Sequence, residues 1–173
     1  EIWPIVEAHV IIKQKMIRYR PTDKLLDCVI NLLAGGVGIV EVNNTVRVDD
    51  VVQRAFGRQG CAEQSTISRT LNVCDMSHVV QLREALVEIM RQTSRSAKHD
   101  RVSHPLVLDV DMMSMPTECQ GEGVMKGYFS YHRGRRGRQL GRVCASEYDE
   151  VLVDRLYDGR RQLEHSVLEL VDA

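Results

Sequence analysis

The sequence predicts an α/β protein with an all-helical amino-terminal head followed by a sheet. Apolar residues recur at helical spacing from residue 22 to about residue 90, whereas short apolar runs typical of strands follow residue 105. The polar stretch between them, residues 93–104, has no apolar period and predicts a linker. We therefore expect a helical head over residues 1–98 and a second domain over residues 105–173.

Composition narrows the class of protein. At 173 residues and 43% hydrophobic the chain can build a core, and its net charge of -1 means that affinity for a polyanion must come from local clustering. Five cysteines without a CxxC spacing argue against disulfide and zinc frameworks and predict buried thiols in the cytoplasm. No apolar run has membrane-span length, and the start Glu1-Ile2-Trp3-Pro4 predicts that the chain begins inside a longer protein.

Four helices are predicted in the head. The first has an apolar stripe and is closed by two glycines: Leu25, Leu26, Val29, Ile30, Leu33, Gly35 and Gly36. The second is capped by Asp49 or Asp50 and ends at Gly57. Ser65 is expected to cap a short third helix. A longer fourth begins at Ser77 and has the inward positions Val79, Leu82, Leu86 and Ile89.

The second domain is predicted to open an α/β layer with mixed strand pairing. Its first element is a buried strand, Leu106 to Asp111. The elements expected after it are two hairpin arms, a strand and a helix: Gly127 to Tyr131, Gln139 to Ala145, Val151 to Tyr157, and Leu163 to Val171.

Asp109 and Asp111 are the first candidate site. Residues two apart in a strand point to the same side, so both carboxylates can face one hard cation such as Mg²⁺. That pattern indicates metal-assisted chemistry on phosphates. The alternative is that one of the two carboxylates caps a turn at the end of the strand.

A basic stretch follows the acidic pair, with no acid between Glu122 and Glu147. Its cations are Lys126, His132, Arg133, Arg135, Arg136, Arg138 and Arg142. The neighbouring aromatics Tyr128, Phe129 and Tyr131 can stack on bases while the guanidinium groups bind phosphates, which favours a nucleic-acid groove. The alternative is a solvated hairpin loop with arginines for solubility.

Residues 62–71 are typical of a recognition helix. Its polar side chains, which could meet phosphates or base edges, are Ser65, Thr66, Ser68 and Arg69. Ile67 and Leu71, four residues apart, are expected to lie inward. An ordinary amphipathic core helix explains these apolar positions equally well.

An ordered set of motifs resembles bacterial insertion-sequence transposases of the DDE type. The run LVLDVD leads through Glu122 to KGYF, GRQLGRV and LYDG, as in the opening of their catalytic domain. The head is similar to theirs in KLLDCVINLLAG and AEQSTISRTL. This resemblance covers the chain from about Pro21 onward.

The resemblance implies an RNase H-like fold in which three carboxylates gather around Mg²⁺ and direct water, then a 3′-hydroxyl, against a DNA phosphodiester. Asp111 matches the first carboxylate and Asp109 is the second candidate for that role. Met113 stands where relatives often have Thr or Ser, and Asp158-Gly159-Arg160 replaces their PGN-like turn. In that fold the second and third carboxylates lie on a later strand and a later helix, and no acidic residue of this chain matches them, so this chain alone should hold Mg²⁺ weakly and be inactive.

The resemblance also implies the partners. These are double-stranded DNA at transposon ends and a second copy of the chain, with no membrane. Two alternatives remain open from the sequence: a non-catalytic DNA-binding remnant of a transposase, and an α/β domain with no role on nucleic acid.

Overall fold

The structure, a computed structural model, describes residues 2–15, 18–129 and 134–172. The chain divides into two compact units, Glu1–Thr93 and Ser94–Ala173. Within the described residues the first unit is helical and the second contains a four-stranded antiparallel sheet. The predicted α/β class, with helices preceding strands, is confirmed.

The helices of the first unit are α1 (Trp3–His9), α2 (Pro21–Leu33), α3 (Asp50–Ala55), α4 (Gln64–Leu71) and α5 (Met76–Thr93), with a 3₁₀ turn at Ile39–Asn43. Asp49 caps α3 as predicted, because its Oδ1 accepts hydrogen bonds from the amides of Val51 (2.9 Å) and Val52 (3.0 Å). Gly57 follows α3 with φ of 68°, a left-handed conformation that suits glycine.

The predicted cap of α4 is wrong. Ser65 lies inside the first turn, and Glu63 occupies the cap position without a side-chain hydrogen bond. The acceptor comes from another element, since the amide of Gln64 donates to Oδ1 of Asn43 at 3.1 Å. A tertiary contact therefore replaces the local cap.

The predicted apolar stripe of α2 is only partly buried. Ile30 is fully buried, but Leu33 is 68% exposed, and Asp27 lies on the buried side with Lys24. Asp27 accepts hydrogen bonds from the amide of Ala62 at 2.9 Å and from Nε of Arg58 at 3.0 Å. A buried polar network thus occupies the side where leucines were expected.

Two apolar clusters hold the first unit together. One joins α2, the 3₁₀ turn and α4 through Ile30, Val42, Val46 and Ile67. The other packs α1 against α5 through Val6, Val10, Ala85 and Ile89. Ile67 lies inward as predicted and Leu71 packs partly buried against the first cluster.

The predicted inward stripe of α5 is wrong over most of its length. Leu86 is 56% exposed, whereas the neighbouring Ala85 is fully buried against α1. Only Ile89 of the predicted positions is buried. The side of α5 that faces α1 is therefore the one with Ala85 and Ile89, and the larger Leu86 lies outside it.

The second unit contains β1 (Leu108–Pro116), β2 (Met125–Lys126), β3 (Arg136–Ala145), β4 (Glu150–Asp158) and α6 (Val167–Val171), with 3₁₀ turns at Ser96–Lys98 and Leu163–His165. β3 pairs antiparallel with β1, β2 and β4. Parallel pairing, which a mixed sheet requires, does not occur among the described strands.

β1 differs from the predicted strand. It begins at Leu108 and continues to Pro116, so Asp109 and Asp111 lie in its first half and not at its end. It is also mostly exposed, because only Val110 and Met112 pack against the small core of Val143, Tyr157 and Leu170.

The remaining elements agree in part with prediction. β4 coincides with the predicted strand, whereas the predicted first arm is wrong at residues 127–129, since the strand there is the two-residue β2 just before them; residues 130–133 of that arm and turn lie outside the described residues. The predicted last helix is split into a 3₁₀ turn and α6. Leu170 of α6 packs on Gly141, where an added Cβ would lie 2.8 Å from Leu170 Cδ1. Glycine at this position lets α6 cover the sheet.

The helices and the cysteines can be compared with the expectations from composition. Among the described residues, none of the helices combines the length and the apolar character needed to cross a bilayer. The five cysteines are free thiols, and Cys61 is buried as expected. Cys119 is exposed, so the expectation of buried thiols is wrong there.

Candidate functional site

Asp109 and Asp111 lie on one exposed face of the sheet. Both side chains are exposed and stand opposite Cys144 and Arg142 of β3. Asp109 accepts a hydrogen bond from the Ser146 hydroxyl, and Asp111 Oδ1 accepts one from the amide of Met112 at 2.7 Å. Each carboxylate therefore keeps lone pairs for another ligand.

Arg142 lies between two acids of neighbouring strands. It is directly opposite Asp111 on β1 and Asp154 on β4. Its guanidinium binds Asp154 in a bidentate way, Nε to Oδ1 at 2.6 Å and Nη2 to Oδ2 at 2.7 Å. These hydrogen bonds raise the pKa of Arg142 above its ordinary value. The charge of Arg142 is thus largely matched by Asp154, which leaves Asp111 as the carboxylate without a cation bound to it.

The donor set of the pair suits Mg²⁺, which prefers oxygen ligands. Side chains two residues apart in a strand are separated by about 7 Å at Cα, so the pair can face one ion. Among the described residues, however, three or more His, Cys, Asp or Glu side chains nowhere converge as a metal site. Mg²⁺ commonly uses one or two protein carboxylates together with substrate phosphates and waters. The pair by itself therefore offers two of the oxygen ligands that such an ion uses.

Several of the predicted cations are engaged within the protein. Arg138 donates to the carbonyl oxygens of Tyr157 at 3.2 Å and Leu156 at 3.5 Å, and Arg135 lies 3.7 Å from Glu118. Arg133 and His132 lie outside the described residues. Two of the donor groups of Arg138 are thus engaged within the sheet, while its predicted contact with phosphates stays a prediction.

Lys126 and Arg136 remain available and are joined by Arg160, which the sequence reasoning missed. The three cations line a cavity of about 270 Å³, here called the basic cavity, with Val124 and Met125. Within the described part of the chain, no carboxylate lies within 4 Å of these cations. An exposed, unneutralised cation cluster of this kind attracts polyanions.

Glycines explain why Arg160 reaches β2. An added Cβ at Gly159 would lie 2.3 Å from the carbonyl oxygen of Gly137 and 2.6 Å from that of Met125. At Gly127 it would lie 1.7 Å from the carbonyl oxygen of Gly159. Only glycine allows the backbones to come this close. The glycines at 127, 137 and 159 were the sequence signal for this junction, although their spacing alone does not show which backbones meet.

The basic cavity and the carboxylate pair share a face but are not adjacent. Arg136, which is exposed, and Arg142, which is half-buried, lie on the same side of β3, six residues apart, which corresponds to about 20 Å along the strand. Of the predicted cations of β3, only Arg142 lies beside the carboxylate pair. The cations of the basic cavity, which have no carboxylate partner among the described residues, lie at the other end of the face.

The polar residues of α4 have unequal positions. Ser65, Thr66 and Ser68 are half-buried and Arg69 is exposed. Thr66 and Arg69 line a separate cavity of about 340 Å³ within the helical unit, together with Lys24 of α2. The predicted recognition helix thus contributes two side chains to a concave surface.

Together these features define an α/β protein of two units with an exposed acidic pair and two cation-lined cavities. Comparison of the chain with protein-family models, with curated proteins and with solved structures gives no match. The function must therefore be argued from the residues themselves.

Proposed function

We propose that this chain is the amino-terminal part of a metal-dependent DDE transposase, and that the exposed sheet face holds double-stranded DNA. One observation carries the proposal: the exposed carboxylates Asp109 and Asp111 lie on the same sheet face as the unneutralised cations of the basic cavity. The resemblance of the LVLDVD, KGYF and GRQLGRV motifs to transposases of this type is consistent with it.

The spacing along the face suits a nucleic-acid strand. The separation of about 20 Å is shorter than one turn of B-DNA, about 34–36 Å, and the two strands of a duplex together present phosphates to a surface along its side. A duplex lying along β3 would place one phosphate in the basic cavity and another beside Asp111. The cations would then hold the DNA while the reacting phosphodiester lies at the acidic end.

Each residue has a distinct role in this arrangement. Lys126, Arg136 and Arg160 neutralise phosphates and fix the register of the strand. Asp111, with Asp109, would hold Mg²⁺, which when bound activates a water and stabilises the leaving oxygen. Because Arg142 is bound to Asp154, the negative charge of Asp111 beside a polyanion would be offset by Mg²⁺ and not by Arg142.

A second candidate is a non-catalytic DNA-binding module. It is favoured by the lack of a third metal-ligating side chain at the pair among the described residues. On either reading we expect the purified chain not to nick or join DNA by itself. Metal-dependent nicking that is abolished by Asp111→Ala would contradict that expectation and make the chain a nuclease in its own right.

DNA binding tests the proposed role of the sheet face. Fluorescence anisotropy with a labelled duplex at several salt concentrations should show affinity falling steeply with ionic strength. The double variant Lys126→Met/Arg136→Met should lower the slope of log K against log salt by about 2, because two phosphate contacts are lost. Arg101→Met, an exposed arginine of the same unit, is the matched control.

The metal role is tested in the same assay. Mg²⁺ should give the wild-type protein a higher affinity for the duplex than NaCl does at the same ionic strength. Asp111→Asn should remove this difference. An unchanged salt slope in the double variant, or an Mg²⁺ effect that survives Asp111→Asn, would overturn the proposed site.

A further inference from the structure

The cavity in the helical unit is strongly cationic. Its volume of about 340 Å³ falls in the size range of small-ligand sites. The charged groups that line it are five cations and a single acid: Lys15, Arg18, Lys24, Arg47, Arg69 and Glu63. None of these cations has a carboxylate within 4 Å in the described part of the chain. We call this surface the lysine cavity.

Lys24 distinguishes the lysine cavity from an ordinary basic surface. The residue is only 5% exposed, although it lines an open cavity. Its Nζ donates to Oε1 of Gln14 at 3.1 Å, and the Thr70 hydroxyl donates to the same oxygen at 2.6 Å. An ammonium has three donors, so this neutral partner leaves Lys24 both electrostatically unmatched and able to donate further. A buried charge without a counter-charge is unfavourable.

Neighbouring groups do not supply the missing negative charge. Asp23 and Asp27, on the same helix, are bound to Arg58 at 3.2 Å and 3.0 Å. Burial raises the pKa of Cys61 to about 12, so this thiol in the cavity wall stays neutral. Glu63 is exposed. The protein thus surrounds the cavity with positive charge and leaves its balance to a ligand.

We infer that the lysine cavity binds a phosphate group, with the Lys24 ammonium at its buried end. A phosphate offers several acceptor oxygens to Lys24, Arg47 and Arg69, and Thr66, whose hydroxyl is a further donor, lines the same cavity. The phosphate belongs to a polynucleotide strand, an assignment that rests on the proposed function. A free phosphate or nucleotide has the same recognition chemistry and is the other source to be distinguished.

The variant Lys24→Met tests this directly. It removes the charge and keeps a long apolar stem, and replacing an unmatched buried charge by an apolar group should not unfold the protein. Lys13→Met is the matched control, because Lys13 is exposed in the same unit and does not line the cavity. Circular dichroism of both variants checks that the fold is retained.

Two probes are used with the full chain. The first is the labelled duplex, for which Lys24→Met should weaken binding about tenfold or more and lower the salt slope by about 1. The second is inorganic phosphate alone, compared with chloride at equal ionic strength. Phosphate should raise the melting temperature of the wild type and of Lys13→Met, but not that of Lys24→Met.

The outcomes are distinct. Loss of both effects in Lys24→Met supports a phosphate site that serves a polynucleotide. Loss of the phosphate effect with unchanged duplex affinity overturns the polynucleotide assignment and leaves a site for free phosphate. If Lys24→Met matches the wild type with both probes, the inference is overturned.

Failure of the proposed function has a different signature. If Lys126→Met/Arg136→Met leaves DNA binding unchanged while Lys24→Met weakens it, the sheet face fails and the lysine cavity stands. If the wild type binds no duplex but phosphate stabilises it through Lys24, the proposed function fails and a free-phosphate site remains.

Discussion

The two cation clusters of this protein are built in opposite ways. In the helical unit, Lys24 is 5% exposed on a helix whose buried side is polar. In the sheet unit, Lys126, Arg136 and Arg160 line an exposed cavity at a junction of three glycine backbones. Exposed cations are solvated and need no counter-charge, whereas a buried ammonium does. The helical cluster should consequently be selective for an anion and the sheet cluster should act mainly through long-range attraction.

The largest expected effect comes from the buried ion pair of Asp27, which lies on the same helix as Lys24. Asp27→Asn removes the negative charge that binds Arg58, which itself is 11% exposed at its side chain. Breaking one partner of a buried ion pair typically lowers stability by about 3–5 kcal/mol, and we expect the lower end of that range because Asp23 still contacts Arg58 at 3.2 Å. Urea denaturation measures the change, with the exposed Asp50→Asn as control. A loss below about 1 kcal/mol would mean that this network does not stabilise the helical unit.

The next effect concerns the glycine junction of the basic cavity. Gly159→Ala brings a Cβ against the carbonyl oxygens of Gly137 and Met125, so the backbone must shift. Overpacking of this kind costs about 1–3 kcal/mol, and the displaced Arg160 should also weaken duplex binding. Gly121→Ala is the control, because its Cβ would meet only Val124 at 3.7 Å. It should change neither the stability nor the duplex affinity. Equal melting temperatures for the two variants would show that the junction is not tightly packed.

A smaller effect is expected at the start of α3. Asp49→Ala removes the acceptor for the amides of Val51 and Val52, which typically costs about 1 kcal/mol. Arg47 of the lysine cavity lies just before this cap. We therefore expect a modest drop in stability and a weaker response to inorganic phosphate, both measured by thermal denaturation. Asp49→Asn can still accept these two hydrogen bonds. It should therefore keep most of the stability and most of the response to phosphate.

The smallest effect is a pH dependence in the sheet unit. Hydrogen bonds from Ser94 and Ser96, and then from the amide of Arg95, lower the pKa of Glu150 to about 2 from an ordinary value of 4.5. A lowered pKa means that Glu150 stabilises the fold above about pH 4.5 and that this contribution is lost as the pH falls towards 2. The melting temperature of Glu150→Gln should therefore depend less on pH in this window than that of the wild type. If the melting temperatures of the variant and the wild type change with pH in parallel, this role of Glu150 is contradicted.

Local signals predicted the fold class and several element boundaries. The cap and the closing glycine of α3 were readable because both act within a few residues of sequence. The start of α4 was not predictable in this way, because the acceptor for its first amide is Asn43, which belongs to another element. The inward faces of α2 and α5 were also wrong, because neighbouring elements and buried ion pairs decide which side of a helix is covered.

The candidate site shows the same division. Alternation along a strand predicted that Asp109 and Asp111 share a side, and the structure places both on the exposed face. Neither the pairing of Arg142 with Asp154 nor the position of Arg160 was predictable, because each depends on which strands and glycines meet. The hydrogen bonds from Arg138 to carbonyl oxygens of a neighbouring strand were not predictable either, for the same reason.

The sequence alone determined the order of helices and strands, the clustering of cations after the acidic pair, and the alternation that puts both acids on one side of β1. Tertiary structure decided which of those charges are free. Burial and charge pairing depend on residues distant in the chain. Asp154 binds Arg142, and the glycine junction brings Arg160 to Lys126. The fold of the helical unit buries Lys24 beside Gln14. Short-range patterns record the chemistry of a side chain, and only the folded chain fixes its electrostatic partners.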